Sequence, residues 1–278
     1  MPTLPLDPKG PSTGPSPKAT MPGDRLEISR PLVVPSTATQ PSLDKAIERL
    51  EGIERDLIAR HDPRAVFVTT YLMQTRTTAE ALQKPGSFED PEFMNRLALR
   101  FVQYFLDAYD NYEQGNRDKV PAPWQHAFDL ATSGSSLVME DLILGINAHI
   151  NYDLPRALTV VGGHTPAQQR DFEKYNQVLF ANIQPVKEAI IDRYTNKALD
   201  VKWLGVADKL SLKLDDVAAE TTFKIIRNQA WDQSQRLQAG DRSALTETLE
   251  DSMKTVKAIE LEAKVTPFHH ALAKARVF

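Results

Sequence analysis

The sequence predicts an all-α fold, an irregular bundle of about eight helices behind a disordered, proline-rich N-terminal tail. Three observations predict it. From Ser42 onward apolar residues recur at i, i+3, i+4 spacing over long stretches. Capping residues stand ahead of those stretches, three of them followed directly by proline: Asp62-Pro63, Asp90-Pro91 and Thr165-Pro166. No strand-like alternation of any length and no repeat of fixed period is visible.

Ten of the nineteen prolines fall in residues 1–41, among Ser, Thr, Gly and Lys. Such a segment has too few large apolar residues to offset the entropy of ordering, so 1–41 is expected to be a disordered tail and 42–278 a single helical domain. Ala46, Ile47, Leu50, Ile53, Leu57 and Ile58 make the first stripe, with Ser42 as its N-cap. Asp62-Pro63 opens a second helix to about Leu82, and Asp90-Pro91 a third to about Tyr112, rich in large side chains from Phe93 to Tyr109. Pro121 to Ala131 is a short helix carrying Trp124 and Phe128. Ser136 to about Leu158 is the most apolar helix, hence the expected centre of the bundle. After Gly162-Gly163, Thr165 and Gln168 form a capping box for a helix to about Ala198, kinked near Pro185. Leu214 to Ala239 is the next helix, stopped by Gly240. Asp241 caps another to about Val265, and Thr266-Pro267 begins a short last one.

Composition narrows the function classes. There is no cysteine, which excludes disulfides, thiolate catalysis and zinc–sulfur sites. The formal net charge is −4 and the basic residues are interleaved with acids, so no nucleic-acid partner is expected. The longest apolar stretch, Leu137 to Ile146, is broken by Glu140 and Asp141 and falls short of a membrane span. With no signal-peptide pattern in the first thirty residues, the expected protein is soluble and cytoplasmic. A phosphate-binding Gly-rich loop, a GxSxG elbow and an aspartate-rich DDxxD motif are all missing.

The chemistry is expected in the central helix. Asn147, His149, Asn151 and Asp153 lie within seven residues of an apolar helix; His149 and Asp153 share one face at i, i+4, and so do Asn147 and Asn151. A buried polar group without a partner costs several kcal/mol, roughly, so these groups need partners from neighbouring helices, a ligand or a metal. Pro155 frees a carbonyl in the turn before it. The following helix offers Asp171, Tyr175 and Asn176, and the later one Arg227 and Trp231 at i, i+4. Arginine on an apolar face calls for a carboxylate, from Asp153 or Asp171. The expected site therefore joins His149, Asp153, Asp171 and Arg227 as catalytic groups, with Asn147, Asn151, Tyr175, Asn176 and Trp231 binding ligand.

The stretch from Gly145 to Pro155 resembles the hallmark of a bacterial family known as a domain of unknown function, whose members share an "NAHINxDLP" helix. Asp171-Phe172 with Asn176, and Arg227 with Ala230-Trp231, are similar to two further blocks of that family, as is Pro121 to Trp124 with Ala127-Phe128. The resemblance spans roughly residues 45–240. It implies an all-helical domain with a functional pocket, and carries no reaction with it. A weaker likeness, His and Asp at i, i+4 on a helix, links the chain to helical zinc-dependent phospholipases C and nucleases. The six histidines are too few for a polynuclear zinc site, but a single divalent metal on His149, Asp153 and Asp171 stays open as a cofactor, favouring Mn, Mg or Fe. Three functions follow: an enzyme, with or without a metal, performing a hydrolytic or oxidative reaction on a small organic substrate; a non-catalytic binder of an apolar or amphipathic small molecule; or a scaffold in which the polar cluster fixes packing. The sequence leaves the oligomeric state open.

Overall fold

A computed structural model describes residues 42–195 and 216–265, and among them every regular element is helical. The expected tail at 1–41 and the short helix after Thr266 lie outside the described residues. In chain order the helices are α1 (Leu43–Ala59), α2 (Ala65–Gln83), α3 (Pro91–Glu113), α4 (Ala122–Thr132), α5 (Val138–Asn147), a π-helical segment (Ala148–Asp153), α6 (Leu154–Val161), α7 (Pro166–Ala181), α8 (Ile183–Tyr194), α9 (Asp216–Gln238) and α10 (Ser243–Val265). The fold is all-α, an irregular bundle.

The helix starts follow from local chemistry. The Ser42 hydroxyl accepts the Lys45 amide at 3.3 Å, the Asp90 carboxylate accepts Phe93 N–H at 2.9 Å, and Thr165 and Gln168 close a reciprocal capping box. Asp62 is used differently. Its carboxylate binds the Arg64 amide and guanidinium, and α2 begins only at Ala65.

Two of the predicted helices are divided. The central one, expected as a single α-helix over 136–158, contains the π turn, in which Leu154 N–H reaches back five residues to the His149 carbonyl. Pro155 has no N–H to offer, so the ladder loses a bond there and the backbone widens. The helix expected to run from 165 to about 198 stops at Ala181; Asn182, three residues before Pro185, takes φ −101° and ψ −1°. Because the proline ring crowds the carbonyl four residues earlier, the break falls ahead of Pro185 rather than at it.

The π segment is the hub of the bundle. It touches α3, α4, α9 and α10 besides its own continuations, while α2 packs on α1, α3, α5, α7 and α8. Gly145 permits a close approach: a Cβ there would stand 2.4–2.9 Å from the Cδ2, Cγ and Cβ atoms of Phe67. Trp124, Phe93, Phe105 and Phe172 are among the largest fully buried side chains. No helix among the described residues is long and apolar enough to cross a membrane.

Candidate functional site: an apolar cavity beside His149

The π turn places His149 and Asp153 face to face in the interior, 4% and 1% exposed. His149 Nδ1 lies 3.4 Å from Asp153 Oδ2, and the same oxygen accepts the Trp124 indole N–H at 2.8 Å. Aromatic rings enclose the imidazole: Phe101 stacks on it with centroids 3.4 Å apart, and Tyr71 meets it edge-on at 4.3 Å. Burial pushes the His149 pKa below the usual histidine value, and Asp153 pulls it back only in part. The imidazole is thus neutral near pH 7. If Nδ1–H faces Asp153, Nε2 is left as an acceptor, and Nε2 has no partner among the described residues.

His149 lines a cavity of about 480 Å³ between α2, α3, α5, the π segment, α7, α8, α9 and α10. That volume falls within the range of small-molecule sites. Its wall is mostly hydrocarbon and aromatic, including Met94, Leu97, Phe101, Leu142, Ile143, Ile146, Ile150, Phe223 and Ile226. One side of α2 runs along it from Phe67 through Tyr71 and Gln74 to Thr78. At 1.5 Å rise per residue, that stripe is roughly 16 Å long. The threonines of α2 do not make the wall strongly polar, because Thr70, Thr75 and Thr78 each donate to the carbonyl four residues back.

Among the described residues, three buried polar atoms on the cavity lining have no partner: Tyr71 Oη, Gln74 Oε1 and His149 Nε2. An unmet buried donor or acceptor costs about 1–3 kcal/mol. Burial, with smaller contributions from Tyr175 and Asp153, raises the Tyr71 pKa well above normal; burial also raises that of Tyr175, whose hydroxyl bonds Thr78. Both phenols stay protonated.

The predicted site residues divide into several groups. His149, Asn147, Asn151, Tyr175 and Arg227 line the cavity. Asn151 donates to Asn147 Oδ1 at 2.8 Å, and Asn147 donates to the Ser252 hydroxyl and carbonyl, tying the π turn to α10. Asp153 stands behind His149. Trp231 packs in a second apolar cluster with Phe93 and Phe172, and the His164 ring lies 4.5 Å from it.

Asp171 is elsewhere. Its two oxygens accept the Glu89 and Asp90 amides at 2.9 and 2.6 Å, so it pins the turn ahead of α3 and does not line the cavity. Neither carboxylate expected for Arg227 reaches it, because Asp171 serves those amides and Asp153 serves Trp124 and His149. Arg227 instead bonds Asn176 Oδ1 at 2.8 Å and the Phe172 carbonyl at 3.3 Å, with its guanidinium 4.3 Å from the Phe172 ring centre. Nor do His149, Asp153 and Asp171 form a metal cradle. Among the described residues no group of three or more His, Asp or Glu side chains is arranged to hold an ion.

Sequence reasoning missed Tyr71 and Gln74. The available signal was in α2, where Thr70, Tyr71, Gln74, Thr75 and Thr78 form a polar stripe on a helix otherwise buried on most sides.

The fold and site define an all-helical protein with a mainly apolar cavity, lined among the described residues by the buried His149 and Arg227. Residues 43–262 match the model of a family described as a family of unknown function (DUF5995), and the chain belongs to that family. The match opens one residue after the Ser42 cap. No curated protein and no solved structure matches the chain.

Proposed function

We propose that the protein binds a small, mainly apolar organic molecule in the cavity beside His149. The observation that carries this reading is the pairing of an apolar space of about 480 Å³ with three polar atoms on its wall that have no partner among the described residues. A cavity that only filled space would be expected to be dry and purely apolar, whereas a few polar groups in a hydrocarbon wall are what orient a ligand. The test is binding of a neutral probe, 1-decanol, followed by titration calorimetry. Wild-type protein takes up one equivalent. Ile146→Trp, which fills the cavity from the α5 side, binds at least tenfold more weakly while keeping its melting temperature. Equal binding by the two proteins would refute the reading.

A catalytic version has its own support in the His149–Asp153 pair. A neutral imidazole, oriented at Nδ1 by a buried carboxylate and unpartnered at Nε2, is equipped to act as a general base toward a bound molecule. His149 would take a proton at Nε2, Asp153 would stabilise the imidazolium, and Trp124 would hold Asp153 in place. Hydrolysis of a small organic substrate fits this arrangement better than metal-assisted chemistry. His149→Gln separates the versions: a binder keeps its ligand, and an enzyme keeps its ligand but loses turnover.

A further inference from the structure

We infer that the ligand of this cavity is an amphiphile with one negative charge, a monocarboxylate whose head is held by Arg227 and whose chain runs along α2 toward His149. The inference rests on the binding reading above and adds the chemical class of the occupant.

Arg227 is 3% exposed, and among the described residues no carboxylate pairs with it. A buried cation without a counter-charge is costly, and the described residues do not supply one. Burial alone draws the Arg227 pKa down, to about 10, which still leaves it charged at neutral pH. Among the described residues that line the cavity with Arg227 there is no Asp or Glu.

The guanidinium is also held from one side. Nε and Nη2 donate to Asn176 and Phe172, neither of which lines the cavity, while Nη1 has no acceptor among the described residues. That leaves a fixed donor for an occupant, and the neutral phenol of Tyr175 lies beside it, its ring centre 5.3 Å from the guanidinium carbon. A carboxylate suits one fixed guanidinium in both charge and planar geometry.

The position of the chain follows. Tyr175 bonds Thr78 near the end of the α2 stripe, whereas His149 packs on Tyr71 and Phe67 at its start. Seven residues of helix separate Tyr71 from Thr78, roughly 10 Å along the axis. With its head at Arg227, the molecule lays hydrocarbon between the two poles and brings a carbon remote from the carboxylate to His149.

The experiment measures binding of decanoate, 1-decanol and decylammonium to wild-type protein and to Arg227→Gln by calorimetry. For wild type we expect decanoate to bind at least tenfold more tightly than the alcohol, and decylammonium to bind most weakly. In Arg227→Gln the preference for carboxylate over alcohol falls below threefold, while alcohol affinity changes little. Arg227→Lys, which keeps the charge, retains part of the preference. Equal affinity of wild type for decanoate and decanol would overturn this inference and leave the apolar pocket standing; no binding of any of the three would overturn both. If Arg227→Gln does not fold, the ranking of the three head groups on wild type decides alone. A carboxylate preference that persists in a folded Arg227→Gln would assign the head to another cation and overturn the role of Arg227.

Discussion

Replacing Asp171 with asparagine separates structure from chemistry at a residue that the sequence groups with His149. Asp171 is 1% exposed and accepts two backbone N–H groups, from Glu89 at 2.9 Å and Asp90 at 2.6 Å. Hydrogen bonds to a charged acceptor contribute about 1.5–3 kcal/mol each. Asparagine keeps one acceptor oxygen and turns an NH2 toward the other amide, so one bond is lost and a donor faces a donor. The expected cost is about 2–3 kcal/mol, a large part of the total stability of an ordinary domain. Asp90 caps α3 through Phe93 N–H, so loosening the 89–90 turn also loosens the start of that helix. For a folded body of this size the melting temperature should fall by about 4–12 °C, measured by far-ultraviolet circular dichroism. Decanol affinity should stay within twofold, because Asp171 does not line the cavity. A variant that melts with wild type yet loses its ligand would refute the assignment and return Asp171 to the site.

The other predictions concern packing and pH. Gly145→Ala places a methyl group within 3 Å of the Phe67 ring and Cβ; overpacking of this kind costs about 1–3 kcal/mol, and a denaturant midpoint equal to wild type would contradict the contact. Trp124→Phe removes the hydrogen bond that the indole N–H gives Asp153 and should cost about 1.5–3 kcal/mol in the same assay; no loss would mean that Asp153 does not depend on it. Because the folded His149 pKa lies below its unfolded value of about 6.5, the unfolded chain binds the proton first, and stability falls as the pH drops below that value, by at most about 1.4 kcal/mol per unit. His164 shifts the same way and remains in the variant, so His149→Gln should lose less stability than wild type between about pH 7.5 and 5.5 without losing all dependence. Parallel pH profiles would show that His149 does not titrate as described.

Much of the fold is legible in the sequence because its punctuation is local. Ser42, Asp90, and Thr165 with Gln168 each satisfy an amide within three residues, and Gly240 stops α9 with φ +90°. Periodicity and capping are near-neighbour properties, so a single chain displays them. The polar cluster from Asn147 to Asp153 is legible for a different reason, since four polar groups in an apolar helix must meet partners. Which partners they meet depends on tertiary placement. Nothing near Asp171 in sequence says that the Glu89 and Asp90 amides will reach it, and nothing near Arg227 says that Asn176 and a carbonyl will stand where a carboxylate was expected. The π turn is hidden too: side-chain spacing cannot tell a bond reaching back four residues from one reaching back five, and only Pro155 hints at it.

The central claim, that the cavity beside His149 is a ligand site with its charged end at Arg227, is tested most directly by a crystal structure of the full chain grown with decanoate. The account predicts continuous density from Nη1 of Arg227 along the Tyr71–Thr78 face of α2 to His149, with the carboxylate at the arginine. Density for decanoate only on the outer surface, with the cavity empty or closed by its own side chains, would contradict it.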